Sequence, residues 1–389
     1  MDLTFTPEED QFRRELRAWL RKTLPGLPAA PPATDWPGRR AYDSAWQRAL
    51  HDAGYAGLHW PADAGGRGAT PTQHLIFLEE TERAGAPYVG ANFVGLLHAG
   101  PTIATEGTAA QRARWLPPIL RGEEIWCQGF SEPGAGSDLA ALRTRATRDG
   151  DSYVVTGSKI WTSHAEVADW CELLVRTDPA APRHHGISWL ALRMDTPGVT
   201  VRPLRTLAGS TEFAEVFLDD VRVPVEHRVG AENDGWRVTM VTLSFERGTA
   251  FAGEVVACRR TLSRLARAAR TNGSWDDAVL RRRLGRLNAE FRALWRLVQW
   301  NVSEAQHAWR GSGGGVPGAG GSVFKLRYSQ ARQELYETAA EILGPDSLDA
   351  AQEWTVDRLS SLSYTIAAGT SQIQRNIVAE RILGLPRGR

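Results

Sequence analysis

Cysteine is scarce in this chain, and its spacing suggests neither a disulfide framework nor a metal site. The 389 residues include three cysteines, Cys127, Cys171 and Cys258, which are far apart in the sequence. Structural zinc sites usually contain cysteine or histidine pairs a few residues apart, and this chain has no CxxC pair. We therefore expect three buried free thiols in a reducing compartment and no bound metal.

The chain also lacks long apolar runs and a strong net charge. No stretch reaches the roughly 18 apolar residues that a membrane-spanning helix needs. The formal net charge is +1, so neither nucleic acid nor an anionic membrane is expected as a partner. The N-terminus, MDLTFTPEED, has no basic segment before an apolar core, so it does not resemble a signal peptide. We expect a cytoplasmic, soluble protein.

Lysine is the rare basic residue. Only Lys22, Lys159 and Lys325 accompany the many arginines. We interpret this bias as a mark of a GC-rich genome rather than of a phosphate-binding function.

Hydrophobic patterning divides the chain into three domains, at residues 1–122, 123–230 and 231–389. The first is helical: Thr6 and Thr70, each followed by proline, predict two helix starts. After the first of these, an apolar stripe with a four-residue period is formed by Phe12, Leu16 and Leu20.

The second domain contains short β-branched and aromatic runs, such as SYVVTGSKIWTS and EVFLDDVRVP, separated by turn residues. No long helical pattern lies between them, which favours an antiparallel sheet or barrel over a parallel dinucleotide-binding sheet. The helical periodicity of the third domain predicts a bundle of four long helices, over 236–269, 276–309, 323–343 and 349–383. The glycine-rich segment 311–321 predicts a surface loop. No GK[ST] follows it, so a phosphate-binding loop is disfavoured.

Two segments of the second domain carry candidate chemistry. Glu132–Asp138, EPGAGSD, is a tight turn whose backbone amides could hold a carbonyl or phosphate oxygen, although an ordinary Gly-Ser turn is an equal alternative. In KIWTS, Trp161 places a flat ring next to the hydroxyls of Thr162 and Ser163, which suits a planar heterocycle. The alternative for Trp161 is an ordinary core tryptophan.

EPGAGSD, KIWTS, VFLDDVRVP and the terminal GTSQIQRNIVAERILGLP occur in an order and spacing that resemble the acyl-CoA dehydrogenase family. The resemblance runs from Thr6 to Pro386. It implies an α+β fold with an N-terminal helical domain, a middle β-barrel-like domain and a C-terminal four-helix bundle. It also implies bound FAD and an oligomer, commonly a tetramer built as a dimer of dimers.

The resemblance further implies which residues contact the cofactor and the substrate. The flavin and the thioester arm would be lined by two motifs of the middle domain, and Ser163 would lie near flavin N5. Gly369, together with Ser137, would lie against the substrate. The full cofactor set comprises Phe130, Ser131, Gly136, Ser137, Trp161, Thr162, Ser163, Arg270, Thr370 and Gln372.

The position of the catalytic base departs from the common family pattern. Removal of the α-proton of a thioester requires a carboxylate in a dry site, where burial raises its pKa. Many members carry that carboxylate where this chain has Ala368. Some branches place it on an earlier helix, and the matching residue here is Glu246, followed by Arg247, which would orient the substrate. The alternative is a structural Glu-Arg pair or a solvent-exposed charge.

Two flavin contacts that a neighbouring subunit usually supplies also look altered, because Arg270 matches its motif weakly and AEILGPDS replaces a Gln-x-x-Gly-Gly stretch. This resembles an actinobacterial branch in which two different chains share one FAD, so a homo-oligomer and a heterotetramer both remain open. The substrate is expected to be an acyl-CoA or an acyl-carrier-protein thioester. Electron-transferring flavoprotein or oxygen is the expected acceptor.

Three functions are therefore considered. The first is FAD-dependent α,β-dehydrogenation, with Glu246 taking the α-proton and flavin N5 the β-hydride. The second is a flavin-dependent monooxygenase or oxidase on the same fold. The third is a subunit that holds FAD only together with a partner chain.

Overall fold

Five helices form the first third of the chain. The computed structural model describes residues 4–246, 251–312, 320–350 and 352–386, with the backbone alone at 244–246 and 308–312. The five helices are α1 (Pro7–Thr23), α2 (Trp36–Asp52), α3 (Pro71–Ala84), α4 (Gly100–Glu106) and α5 (Ala109–Leu120).

Both predicted threonine-proline helix starts are confirmed, at α1 and α3. The hydroxyl of Thr6 accepts a hydrogen bond from the Glu9 amide at 3.3 Å, and the Glu9 carboxylate accepts one from the Thr6 amide at 2.9 Å. Thr70 and Gln73 form the same reciprocal pair. Each pair satisfies two amides that would otherwise lack partners at the helix end. The predicted apolar stripe of α1 is buried, and it comprises Phe12, Leu16 and Leu20.

The middle of the chain forms one eight-stranded sheet. Its strands are β1 (Trp126–Gly129), β2 (Arg145–Asp149), β3 (Ser152–Ser163), β4 (Trp170–Arg176), β5 (Ile187–Arg193), β6 (Val199–Leu204), β7 (Phe213–Pro224) and β8 (Arg228–Val229). The order is β6-β7-β3-β2-β4-β5-β8, and β1 pairs with β4. Most neighbours are antiparallel, as predicted, but β4 pairs in parallel with both β1 and β2. All three cysteines are buried and free, and Cys127 faces Cys171 across the β1–β4 pair.

The last part of the chain is helical. Its helices are α6 (Gly235–Glu246), α7 (Ala252–Thr271), α8 (Ala278–Ser312), α9 (Gly320–Leu343), α10 (Glu353–Ser361) and α11 (Ser371–Ile377). The helix predicted over 236–269 is described as two, α6 and α7, and 247–250 lies outside the described residues. Most of the predicted glycine-rich loop, 313–319, is also outside them.

The prediction of one continuous helix over 349–383 is wrong. The chain turns between α10 and α11, where Ala368 has φ +51° and Gly369 has φ +84°. Two successive left-handed residues cannot continue a right-handed helix, and an L-residue such as alanine adopts this conformation at an energetic cost. The helical periodicity on either side of the turn hides it in the sequence.

Three large apolar cores hold these parts together: one between α1–α5 and strands β1, β4, β5 and β8, one inside the sheet and one inside the bundle. Leu75 of α3 belongs to the bundle core, so the N-terminal helices pack directly on the C-terminal ones. Among the described residues, no helix combines the length and the apolar character needed to span a bilayer.

Candidate active site

A buried ion pair attaches the EPGAGSD turn to strand β3. Lys159 is fully buried, and its Nζ lies 2.8 Å from Oε1 of Glu132 and 3.1 Å from the carbonyl oxygen of Phe130. The Glu132 carboxylate also accepts hydrogen bonds from the amides of Arg143 and Thr144, at 2.7 and 2.8 Å. The turn that begins the predicted site therefore has a fixed position relative to β3.

The pKa values of this pair reflect a balance of burial against charge. Burial alone would raise the pKa of Glu132, but the Lys159 ammonium and the hydrogen bonds at Thr144 lower it below its usual value. Burial lowers the pKa of Lys159, and Glu132 opposes that shift. Each group needs the other, because either charge alone would be buried without compensation.

Strand β3 bulges where the site begins. Lys159 pairs with Val216 and Thr162 pairs with Ala214, so the register shifts across Ile160 and Trp161. The Ile160 amide instead donates to the carbonyl oxygen of Ser131 at 2.9 Å. This bond brings two predicted motifs together, and bulges of this kind commonly redirect a side chain.

Trp161, at the bulge, is not a core tryptophan. It has φ +62°, and 57% of its surface is accessible. Its ring lies nearly perpendicular to the Phe213 ring, with ring centroids 5.9 Å apart. A strained backbone and an exposed large aromatic side chain are both unfavourable in isolation, so their coincidence favours a binding role.

Thr162 and His164, on either side of the half-buried Ser163, carry buried polar atoms without partners among the described residues. Thr162 is completely buried, yet its hydroxyl oxygen makes no hydrogen bond, and neither does Nδ1 of His164. The His164 ring lies between Trp36 and Phe93, at 5.0 and 5.8 Å. Burial, with a smaller effect from Arg39, lowers the pKa of His164 to about 4, so this ring is neutral at pH 7.

The turn that carries Ala368 is pinned from α9. Lys325 Nζ donates to the carbonyl oxygen of Ala367 at 2.8 Å and to that of Gly369 at 2.6 Å. Nε2 of Gln374 donates to the Ala368 carbonyl oxygen at 3.1 Å. A Cβ on Gly369 would approach Nε2 of Gln374 to 2.7 Å, but that atom is the end of a flexible side chain, so the positive φ is the main reason for glycine here. The turn is therefore held firmly in place. Its exposed residue Ala368 carries only a methyl group as its side chain.

The two predicted cofactor residues after this turn differ in their environments. The hydroxyl of Thr370 caps α11 by accepting a hydrogen bond from the Ile373 amide at 3.2 Å. Gln372 is exposed, and the buried hydroxyl of the intervening Ser371 has no partner among the described residues.

Helix α6 ends at Glu246, and Arg247 lies outside the described residues. Position 246 follows Thr242 by four residues and Val238 by eight, so it continues the row of α6 that these two residues occupy. Both are fully buried, and the Thr242 hydroxyl bonds that of Thr102 on α4 at 2.8 Å. The spacing of Val238, Val241 and Phe245 predicts one apolar side of α6. Val238 is buried, as this predicts, whereas Val241 is only half-buried.

The structure brings some of the predicted site residues into contact and separates others. Phe130 and Ser131 contact β3 directly, as described above, whereas Gly136 and Ser137 are exposed at the tip of the turn. Arg270 is exposed at the end of α7, where its guanidinium lies 3.9 Å from the Trp275 ring centroid. No described contact connects Arg270 with β3 or with the 367–369 turn, and its predicted role stays a prediction.

Sequence reasoning missed the residues that hold the site in place. Lys159, Glu132 and Lys325 are structural, and two of the three lysines in the chain are among them. The rarity of lysine was the available signal: where arginine is the default cation, a retained lysine indicates a site that needs a compact ammonium. Among the described residues, no group of three or more histidine, cysteine, aspartate or glutamate side chains is arranged to hold a metal ion.

Three family models match the chain in sequence order. The acyl-CoA dehydrogenase N-terminal domain matches residues 6–123, the middle domain matches 127–221 and the C-terminal domain matches 233–383. Together they cover nearly the whole chain.

Individual relatives agree with these models. Acyl-CoA dehydrogenase IpdE1 of Mycobacterium tuberculosis is 41% identical over 386 residues, covering 97% of this chain and 98% of that protein. Among solved structures, the Tcur3481-Tcur3483 steroid ACAD has a TM-score of 0.84 at 31% identity, with both chains fully covered. The ChsE4-ChsE5 complex from Mycobacterium tuberculosis has a TM-score of 0.81 at 32% identity, again with full coverage of both chains.

Proposed function

The chain belongs to the acyl-CoA dehydrogenase family of flavoprotein oxidoreductases, and we propose that it dehydrogenates an acyl thioester between its α- and β-carbons, with Glu246 as the base. The predicted fold class is confirmed by these matches. The substrate, the base and the cofactor contacts are the parts that we propose.

The residues on β3 fit FAD. The exposed Trp161 ring offers an aromatic surface to a planar heterocycle, and the unsatisfied Thr162 hydroxyl offers it a hydrogen bond. Phe130 and Ser131 would complete this side of the pocket, with Ser163, Gly136 and Ser137 nearby. Thr370 and Gln372 would contact the adenine half. Bound FAD would supply the hydride acceptor for the β-carbon.

The exposed Trp161 next to the unsatisfied Thr162 is the observation that carries the proposal. The ion pair of Lys159 and Glu132 holds this strand against the EPGAGSD turn, and we propose backbone amides of that turn as donors to a carbonyl or phosphate oxygen. A site that is already rigid needs little reorganisation as negative charge develops on a thioester carbonyl.

The base is proposed at Glu246 because the usual position offers no proton acceptor. Ala368 has a methyl side chain, and its carbonyl oxygen is hydrogen-bonded to Gln374. Val238 and Thr242, eight and four residues earlier on α6, are fully buried. A carboxylate that continued their row would lose solvation, and its pKa would rise towards neutrality. Arg247 is proposed to orient the substrate, and Gly369 to lie against its acyl group.

The experiment is an anaerobic titration of the FAD-loaded protein with a panel of acyl-CoA and acyl-carrier-protein thioesters. Substrate should bleach the flavin absorbance and yield the 2-enoyl thioester. Glu246→Gln should retain FAD and lose bleaching, whereas Glu15→Gln, an exposed glutamate on α1, should behave as the wild type. Bleaching at the wild-type rate by Glu246→Gln would reject the assignment of the base.

A second candidate is that the chain works as one subunit of a heteromeric enzyme that shares FAD with a partner. Five apolar side chains near the C-terminus are exposed, 42% or more of each: Leu362, Ile366, Ile382, Leu383 and Leu385. So much exposed apolar surface in one segment favours a protein interface. Both solved relatives carry paired names, Tcur3481-Tcur3483 and ChsE4-ChsE5, and the second is a complex. A colourless protein when purified alone, turning yellow on co-purification with a second family member, supports this candidate; full FAD occupancy alone contradicts it.

A further inference from the structure

A pocket of about 380 Å³ lies on the middle domain, next to the EPGAGSD turn. We call it the arginine pocket. Its walls are formed by nine residues: Ala140, Ala141, Leu142, Arg143, Arg145, Arg176, Pro179, Ala181 and Arg183. Its volume falls within the range of small-molecule sites, and four of its lining residues carry a guanidinium group.

Two of these arginines lack a compensating negative charge. Arg143 and Arg145 are exposed, and within the described ranges neither side chain forms an ion pair or a hydrogen bond. Arg145 is paired directly with Arg176 where β2 and β4 run in parallel, so two like charges stand opposite each other. Like charges on directly opposite residues destabilise a sheet. An anion in the pocket would offset this repulsion.

The other two arginines are fixed in the wall of the pocket. Arg176 donates hydrogen bonds of 2.6 to 3.4 Å to the backbone carbonyl oxygens of Ala140, Leu142, Arg183 and His185. Burial lowers the pKa of Arg176, and the charges of Glu132 and Asp178 oppose that shift. Arg183 pairs with Asp138 at 2.5 Å. In the part of the chain that the structure describes, Asp138 is the one carboxylate that forms an ion pair with an arginine of the pocket.

The arginine pocket adjoins the residue proposed to contact the substrate. Asp138, the partner of Arg183, directly follows Ser137 in the EPGAGSD turn. Arg143 follows Ser137 by six residues, so the two lie at most about 20 Å apart even along an extended chain. The Arg143 amide also donates to the Glu132 carboxylate at 2.7 Å, which ties this wall to the first residue of the turn. A carrier arm that leaves the thioester past Ser137 would therefore have the pocket within reach.

The charge of the pocket suits a phosphate monoester. Guanidinium groups bind phosphate through paired, charge-assisted hydrogen bonds. A phosphate monoester carries a charge of about −1.5 to −2 at pH 7, whereas a diester carries a single negative charge. Coenzyme A has a monoester on its ribose, but the arm of a carrier protein is attached through a diester. Four arginines with one paired carboxylate match the more highly charged group.

We infer that the arginine pocket binds the ribose phosphate of coenzyme A, so that CoA thioesters rather than carrier-protein thioesters are the substrates. This inference rests on the proposed function and specifies its substrate class.

The test compares coenzyme A with 3′-dephospho-coenzyme A, which differ only in the ribose phosphate. Binding to the FAD-loaded protein, with its partner chain if it needs one, is measured by calorimetry. The wild type should bind coenzyme A at least tenfold more tightly, in line with hydrogen bonds between charged groups. The double variant Arg143→Gln with Arg145→Gln should reduce this ratio to a third of the wild-type value or less. Both side chains are exposed, so this variant should fold.

Arg148→Gln is the matched control, because Arg148 is an exposed arginine of β2 that does not line the pocket, and it should keep the wild-type ratio. A wild-type ratio below tenfold, no binding of coenzyme A, or a smaller fall in the double variant overturns the inference. Loss of FAD from the double variant would assign the pocket to the phosphates of the cofactor and would also overturn it. Absence of flavin bleaching by any thioester in the earlier titration refutes the proposed function separately, since binding of free coenzyme A involves no acyl group and no oxidation.

Discussion

Replacing Lys159 by methionine tests whether the buried ion pair supports the proposed flavin site. The substitution keeps an unbranched side chain of similar length but removes the ammonium that lies 2.8 Å from Glu132. Removing one partner of a buried pair typically costs about 3–5 kcal/mol of folding free energy, because the other charge is left uncompensated. Glu132 retains two amide donors, at Arg143 and Thr144, so we expect a loss near the lower end, about 3 kcal/mol.

The substitution should also weaken FAD binding, because Lys159 positions the carbonyl group of Phe130 as well. Lys159→Met should lower the urea midpoint of unfolding and also reduce FAD retention during gel filtration. Lys22→Met, at the exposed lysine of α1, should change neither. The double variant Lys159→Met with Glu132→Gln should be more stable than Lys159→Met alone, because it leaves no buried charge.

Two results would refute this reasoning. One is a stability of Lys159→Met within about 0.5 kcal/mol of the wild type, the range expected of a surface change. The other is a loss of stability with full FAD retention, which would separate the ion pair from the site.

Three further predictions concern other parts of the structure. Gly369→Ala should reduce the free energy of unfolding by about 1–2 kcal/mol, because φ is +84° and the new Cβ would contact Gln374. Gly285→Ala in α8 has open space around it and should be neutral or stabilising in urea unfolding. Equal unfolding midpoints for the two variants would contradict this prediction. Trp161→Ala should leave the stability of the FAD-free protein almost unchanged, because the side chain is largely exposed. It should weaken FAD binding about tenfold, as measured by fluorescence titration. An unaltered affinity for FAD would show that Trp161 does not belong to the site. Burial lowers the pKa of His59 to about 4, so the unfolded chain binds a proton that the folded chain does not. Stability should therefore fall as pH drops from 6.5 towards 4, and His59 alone should account for about 2 kcal/mol of the loss at pH 5. His59→Gln should flatten this part of the urea-midpoint profile between pH 7 and pH 5, and an unchanged slope would show that His59 is not responsible.

Local signals in the sequence predicted helix starts and the order of helices and strands well. The Thr6 and Thr70 caps are short-range hydrogen-bond patterns, so the residues that form them are visible together in the sequence. The strand texture of the middle domain likewise follows from alternation along each strand. The parallel pairing of β1 with β4 was not predictable in this way, because it depends on long-range register rather than on local pattern.

The segments that form the candidate site could be predicted from the sequence, but the contacts that hold those segments together could not. Trp161 and Thr162 could be selected because a flat ring next to a hydroxyl has an evident chemical use. The ion pair of Lys159 with Glu132 joins residues 27 positions apart, and only the fold brings them together. The helix predicted across Ala368 failed for a related reason, since the left-handed turn there is held by Lys325 from another helix.

The proposed relocation of the base from position 368 to Glu246 is tested most directly by stopped-flow flavin bleaching in four proteins: the wild type, Glu246→Gln, Ala368→Glu and the double variant. We predict that Glu246→Gln bleaches about a thousandfold more slowly than the wild type, within the range that general bases contribute. We also predict that the double variant recovers at least tenfold over Glu246→Gln, because its carboxylate returns to the turn. A Glu246→Gln rate within tenfold of the wild type would contradict the account, whatever the double variant does.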